Sequence, residues 1–153
     1  MIRLCINTQT PPVRPLPPAR DRGTRPWRLG KEYTVQVGGV VPMMRALLRA
    51  GAGRWIAPQP RWVALGTEEM PAELRTDDGY RLELIHLTAE KRRLYGRFKE
   101  AVWASFHGPG FPEFVPAEYR AFVEYSSKTA LQLLTHLGDY DLFYINDFQQ
   151  ILV

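Results

Sequence analysis

The sequence predicts an α/β domain in which helices cover a mainly parallel sheet. Short apolar or alternating segments typical of strands recur along the 153 residues, and longer helical patterns separate them. A pair of glycines precedes the first helical pattern, where the free N–H groups of a helix start can bind a phosphate. The length fits one domain, and 45% apolar with 24% charged residues is ordinary for a globular protein.

The first predicted element is a buried strand at residues 2–6, a short apolar run followed by polar residues. Residues 8–32 then form a Pro/Arg-rich loop, because six of the 13 prolines fall between residues 10 and 30 and proline interrupts regular hydrogen bonding. Alternating strand formers at 33–37 predict a second strand or one arm of a hairpin. Cys5 is the only cysteine, so we expect an inert core thiol and a reducing, cytoplasmic location.

The first predicted helix follows Gly38 and Gly39. Pro42 suits the first turn of a helix, and apolar side chains recur at helical spacing until Gly51 and Gly53 end the pattern. On its own, a Gly-Gly pair before a helix is more often a structural turn than a phosphate site. Its spacing also differs from the dinucleotide-binding G-x-G-x-x-G pattern.

The rest of the chain continues this alternation, with a hairpin turn signal at residues 77–79. The expected elements are strands at 55–56, 61–65 and 80–86, helices at 89–106 and 116–137, and a buried strand at 141–145. Asn146 and Asp147 then form the turn and cap of a further helix that begins at Phe148. A domain seldom ends on an uncapped apolar triplet, so the end at Val153 predicts a truncated domain.

Charge and hydropathy exclude two classes of partner. Residues 1–31 carry seven Lys or Arg and one Asp, a net charge of +6, whereas the remaining 13 basic and 15 acidic residues give −2. A nucleic-acid-binding protein usually spreads its basic residues over a face or a helix, so this local excess argues against nucleic acid. No apolar run approaches the roughly 20 residues that span a bilayer, so no membrane partner is expected.

Four segments in a fixed order carry a family resemblance. They are Gly38-Gly39 before a helix, residues 53–56, the aromatic run at 95–107 and residues 144–149. In order and approximate spacing, nearly the whole chain resembles the trehalose-6-phosphate synthase family of retaining glycosyltransferases. The run at 95–107 is similar to that family's Y-x-x-F-x-x-x-x-L-W-x-x-F-H segment and is the most specific piece.

The resemblance implies that residues 1–153 form the N-terminal, acceptor-side Rossmann-like domain of a two-domain GT-B enzyme, whose C-terminal donor domain is absent here. It implies transfer of a glucosyl group, with retention, from a nucleoside diphosphate sugar to a sugar phosphate. It implies no metal and no cofactor beyond the nucleotide-sugar co-substrate. A separate C-terminal half or a homo-oligomer partner would then complete the enzyme.

The same resemblance assigns roles to individual residues. Gly38 and Gly39 would lie against the diphosphate of the nucleotide sugar. Tyr95 and Trp103 would line the acceptor pocket, because aromatic rings offer apolar faces to sugar C–H groups. Asp147 would act on the catalytic face and accept hydrogen bonds from sugar hydroxyls.

The sequence also departs from the family pattern. The family's early arginine, which helps to hold the acceptor phosphate, corresponds to Gln9, and a tryptophan corresponds to Pro58. Asn146 and Gln149 stand where the family has histidines. These changes leave glucose 6-phosphate open as the acceptor, and arginines of the 14–28 loop are candidates for supplying the missing positive charge.

Simpler explanations remain for these residues. Tyr95 belongs to a helical stripe with Phe98 and Val102 that could be core, and Asp147 could cap a helix. Because the residues that stabilise the leaving diphosphate lie in the family's second domain, we expect no transfer by this chain alone. The alternative is a non-catalytic binding or regulatory module that pairs with a catalytic subunit.

Overall fold

The fold is built on a five-stranded sheet with helices on both faces. The structure, a computed structural model, describes residues 1–17, 25–108, 113–146 and 152–153. None of the helices in these ranges is both long and apolar enough to span a bilayer. The elements, in chain order, are β1 (Leu4–Asn7), β2 (Val13–Pro15), β3 (Tyr33–Val35), α1 (Val41–Gly51), β4 (Arg61–Leu65), β5 (Glu73–Arg75), β6 (Arg81–Ile85), α2 (Ala89–His107), α3 (Pro116–Leu134) and β7 (Leu142–Ile145).

The sheet has the order β5-β6-β4-β1-β7, and its last four strands are parallel. The chain first winds outward from β1 through β4 to β6, with β5 as an antiparallel edge strand. It then returns through α2 and α3 to place β7 on the other side of β1. The direction of winding therefore reverses at β1, and the predicted α/β Rossmann-like domain is confirmed.

Two apolar cores lie on opposite faces of the sheet. Leu4, Ile6 and Trp62 pack with residues of α1, whereas Cys5 and Val63 pack with residues of α2 and α3. Strands that are covered on both faces lack polar alternation, which explains the apolar runs at β1 and β4. Burial raises the pKa of Cys5 to about 12, so the thiol is the protonated core side chain that the sequence predicts.

The Pro/Arg-rich loop contains structure that the sequence pattern does not predict. β2 lies inside it and pairs antiparallel with β3, with Val13 opposite Val35 and Pro15 opposite Tyr33. The expectation of a loop without regular hydrogen bonding is therefore wrong for residues 13–15. Pro15 is tolerated in this two-stranded ribbon because each strand is hydrogen-bonded along one edge only, and proline is found on such edge strands. The predicted hairpin arm at 33–37 is confirmed for residues 33–35, which form β3.

The prediction that the last strand is buried is wrong. β7 lies at the edge of the sheet and pairs with β1, and the side chains of Leu142 and Ile145 are 48% and 43% exposed. Apolar composition alone does not separate a central strand from an edge strand. Among the other elements, α3 ends at Leu134 rather than at residue 137, and Ile56 makes only isolated bridges. The predicted helix from Phe148 begins outside the described residues.

An ion-pair cluster, the Asp78 cluster, joins the β5–β6 turn to α1 and β3. Arg45 and Arg49 of α1 both donate to the Asp78 carboxylate, and the Tyr33 hydroxyl donates to Asp77 Oδ1 at 2.6 Å. Burial alone would raise the pKa of Asp78, but the hydrogen bonds from the two arginines outweigh it and hold the pKa below its usual range. The cluster therefore fixes α1, and with it the chain that leads into α1.

Replacing Asp78 with Asn should destabilise the fold by about 3 kcal/mol at pH 7, because it leaves the mostly buried Arg45 without its anionic partner. The folded-state pKa of Asp78 is depressed, so its stabilisation is present above the unfolded-state pKa and is lost as pH falls through the folded value. Urea unfolding should therefore show that the difference in free energy of unfolding between the wild type and Asp78→Asn becomes smaller as the pH is lowered. Glu68→Gln, at an exposed position, is the control. The prediction would be contradicted if the wild type and Asp78→Asn differed in free energy of unfolding by the same amount at pH 7 and at pH 3.

Candidate functional site

An open cavity of about 440 Å³ lies where the carboxyl ends of β1 and β7 meet the start of α1 and one face of α2. We refer to it as the switch-point cavity, because the winding of the chain reverses between these two strands. Ligands of open α/β sheets bind at such positions. The described residues that line it are Thr8, Gln9, Thr10, Gln36, Val37, Gly38, Gly39, Val40, Val41, Lys99, Glu100, Trp103 and Asn146.

The first wall of the cavity is the segment after β1. The Trp62 indole N–H donates to the Thr8 hydroxyl at 2.8 Å, and that hydroxyl donates to the backbone oxygen of Thr10 at 2.7 Å. The backbone oxygen of Gln9 accepts from the Leu65 N–H at 3.1 Å. These bonds hold the segment against the sheet, so Gln9 lines the cavity as a neutral hydrogen-bonding side chain, with Oε1 accepting from the Thr10 hydroxyl at 3.2 Å.

The second wall is the start of α1. Gly38 and Gly39 have φ values of +93° and +61°, in the left-handed region that favours glycine. A Cβ at either position would meet nothing within 4 Å, so the backbone conformation, rather than lack of space, requires glycine there. No side chain caps the helix at Val40, and its first turn holds no acidic residue. The amide groups and positive dipole end of α1 are therefore suited to an anion.

The third wall is one face of α2. Lys99 and Trp103 are one helical turn apart and both line the cavity, and Glu100 lies beside them. The Trp103 ring is 48% exposed, and its centroid lies 3.9 Å from that of His107. This arrangement presents an aromatic surface to the cavity, of the kind that sugar C–H groups contact.

Tyr95 does not line the switch-point cavity. Its side chain is 2% exposed, and its ring centroid lies 4.8 Å from that of Tyr125 and 6.2 Å from that of Phe122. Tyr95 and Trp103 are eight residues apart, which places them about 80° apart around the helix axis. One face of α2 packs on α3 while the next faces the cavity, so the structure assigns Tyr95 to the core and only Trp103 to the cavity.

The end of β7 completes the cavity. The Asn146 N–H donates to the backbone oxygen of Asn7 at 3.0 Å, and the Tyr144 hydroxyl donates to Asn146 Oδ1 at 3.3 Å. Asn146 therefore lines the cavity from a fixed position. Asp147, the predicted catalytic-face residue, is the next residue and lies outside the described part of the chain.

Four of the predicted residues thus share one cavity: Gln9, Gly38, Gly39 and Trp103. Sequence reasoning missed Lys99 and Glu100. The available signal was their position one turn before Trp103 on α2. Charged residues on a helix are usually solvated, however, and nothing else in the sequence distinguishes Lys99 and Glu100 from the other charged residues of α2. Within the described ranges, no three His, Cys, Asp or Glu side chains come together in a group that could hold a metal ion.

No protein-family model and no curated protein sequence matches the chain. Solved structures do match its fold. A trehalose-6-phosphate synthase structure, OtsA, superimposes with a TM-score of 0.63 at 18% identity, covering 97% of this chain and 29% of that one. An alpha,alpha-trehalose-phosphate synthase (UDP-forming) from Burkholderia vietnamiensis gives a TM-score of 0.60 at 22% identity, with coverage of 99% and 28%.

A third structure, from E. coli and described as trehalose-6-phosphate bound with UDP-2-fluoro glucose, gives a TM-score of 0.61 at 20% identity. It covers 97% of this chain, whereas this chain spans 28% of its length. This chain thus spans less than a third of the length of each matched chain. At these identities the match concerns the fold, and this chain has the fold of part of the trehalose-6-phosphate synthase structures, as the sequence resemblance predicts.

Proposed function

We propose that this chain is the acceptor-side domain of a retaining glycosyltransferase. The complete enzyme would move a glucosyl group from a nucleoside diphosphate sugar to a sugar phosphate. The observation that carries the proposal is the switch-point cavity, which gathers an uncapped helix start, a two-glycine turn and an exposed tryptophan at the carboxyl edge of the sheet. The nucleotide sugar in the E. coli structure of the same fold supports the choice of donor.

Each group in the cavity has a chemical task in this proposal. The amides at the start of α1, approached closely over Gly38 and Gly39, take the negative charge of the donor diphosphate. The Trp103 ring stacks on the acceptor sugar, and the Gln9 amide hydrogen-bonds to it. Asp147 follows Asn146 directly and would accept hydrogen bonds from sugar hydroxyls between donor and acceptor. The assignment of retention comes from the family resemblance.

Transfer requires a second component in this proposal. The cavity is open, and developing charge on the leaving diphosphate needs cations aimed at it from the facing side. Within the described part of the chain no strand pairs with the outer edge of β7, whose Leu142 and Ile145 are 48% and 43% exposed, and another polypeptide segment could continue the sheet there. Either a C-terminal half or a partner subunit fits this edge.

The same edge favours a second candidate function. A non-catalytic module that binds a nucleotide or sugar phosphate and pairs with a catalytic subunit would also need an exposed apolar edge. The neutral residues Gln9 and Asn146 at positions where the family has charged or titratable side chains suit binding better than catalysis.

Trp103→Ala should weaken binding of glucose 6-phosphate about tenfold, because it removes the stacking surface. It should change the free energy of unfolding by less than about 1 kcal/mol, since the ring is half exposed. Calorimetric or NMR titration together with urea unfolding measures both quantities.

Tyr95 supplies the matched controls on the same helix. Tyr95→Phe should leave sugar-phosphate affinity unchanged, and Tyr95→Ala should cost about 3–5 kcal/mol of stability, because the ring is buried against α3. A loss of affinity in Tyr95→Phe with unaltered stability would place Tyr95 in the ligand site and refute the assignment made above.

The isolated chain should bind UDP-glucose weakly but release no UDP when UDP-glucose and glucose 6-phosphate are supplied together. A coupled assay for UDP measures transfer, and an NMR titration of the same sample measures binding. Turnover by the purified chain would show that no second component is needed. Absence of any binding would instead remove the support for the cavity as a donor site.

A further inference from the structure

We propose that Lys99 is the cation that binds a ligand phosphate in the switch-point cavity. This inference rests on the function proposed above and identifies the residue that recognises the ligand's charge. The need for such a residue follows from Gln9, a neutral side chain on another wall of the same cavity. A phosphate that leaves water requires compensating positive charge, which an amide side chain cannot supply.

The position of Lys99 meets this need. It lies one turn before Trp103 on the cavity face of α2, so a sugar stacked on the indole would have its phosphate within reach of the flexible lysine stem. Among the described residues that line the cavity, Lys99 is the only cation. Its side chain is 24% exposed, so much of its aliphatic stem is packed against the protein.

The present partner of Lys99 can be exchanged. Lys99 Nζ lies 2.8 Å from Glu100 Oε1, but the Glu100 side chain is 68% exposed and adjacent in sequence. An ion pair with so exposed a partner is weak. A phosphate can therefore displace the carboxylate, which returns to water. While the Glu100 carboxylate remains beside Lys99, it repels an incoming phosphate and lowers the affinity of the cavity for that ligand.

Arg14 and Arg25, two described arginines of the early loop, are less well placed. Arg25 lies 3.7 Å from Glu32 and does not line the cavity, and Arg14 lines a separate groove beside Thr67 and Arg92. Arg20 and Arg22 lie outside the described residues. The expectation that this loop supplies the phosphate charge therefore receives no support from Arg14 or Arg25.

The test uses the 153-residue chain in NMR titrations with three probes: UDP-glucose, glucose 6-phosphate and glucose. Lys99→Gln should weaken binding of at least one phosphorylated probe about tenfold or more, because a charge-assisted hydrogen bond is lost. Lys99→Arg should bind within about threefold of the wild type. Weaker binding of UDP-glucose would show that Lys99 holds the donor diphosphate, and weaker binding of glucose 6-phosphate that it holds the acceptor phosphate. Glucose, which has no phosphate, should bind equally to all variants.

Two further variants sharpen the result. Lys128→Gln, at a half-exposed lysine of α3 paired with Glu124, is the matched control and should bind like the wild type. Glu100→Gln should tighten binding of the same phosphorylated probe about two- to fivefold, because it removes the competing carboxylate.

The outcomes separate this inference from the function on which it rests. If the wild type binds the phosphorylated probes and Lys99→Gln binds them equally well, Lys99 is not the phosphate ligand, while the proposed function stands. If the wild type binds neither phosphorylated probe, both the role of Lys99 and the proposed function are refuted. Weakening of glucose binding by Lys99→Gln to the same degree would show a general disturbance of the cavity and would also overturn the role of Lys99.

Discussion

β1 is paired along both edges and covered on both faces, and this enclosed position governs the rest of the molecule. Its neighbours β4 and β7 belong to two halves of the chain that wind away from it in opposite directions. Segments of α1 and α2, which cover opposite faces of the sheet, therefore flank the cavity beyond the carboxyl end of β1, and none of the helices in the described ranges closes it. The cavity is a geometrical result of this arrangement, so its walls come from segments distributed along the sequence from Thr8 to Asn146.

Each wall is held by a different kind of interaction. The segment after β1 depends on the hydrogen bond between the Trp62 indole and the Thr8 hydroxyl inside the core. The start of α1 depends on the Asp78 cluster, which ties the helix to a turn on the far side of β4. Trp103 depends on the packing of α2 against α3. Three independent supports make the cavity a property of the whole fold rather than of one loop.

The sequence predicts the three helices and the four parallel strands in order, because apolar runs, Pro42 and the turn at 77–79 are local signals, but it misses the short strands β2 and β5. It predicts Gln9, Gly38, Gly39 and Trp103 as neighbours only through the family resemblance, because their approach depends on the reversal at β1. It fails for the burial of β7, whose apolar side chains would suit the centre of a sheet equally well. It fails for Tyr95 because the phase of a helix depends on which neighbour it packs against.

The buried thiol in β1 has a practical consequence. Cys5 is the only cysteine in the chain, and it is completely covered between the helical layer and its neighbouring strands. A thiol-specific reagent can therefore modify the protein only in molecules whose β1 has separated from the layer of α2 and α3. The rate of labelling would report how often β1 loses its helical cover under native conditions, without any engineered probe.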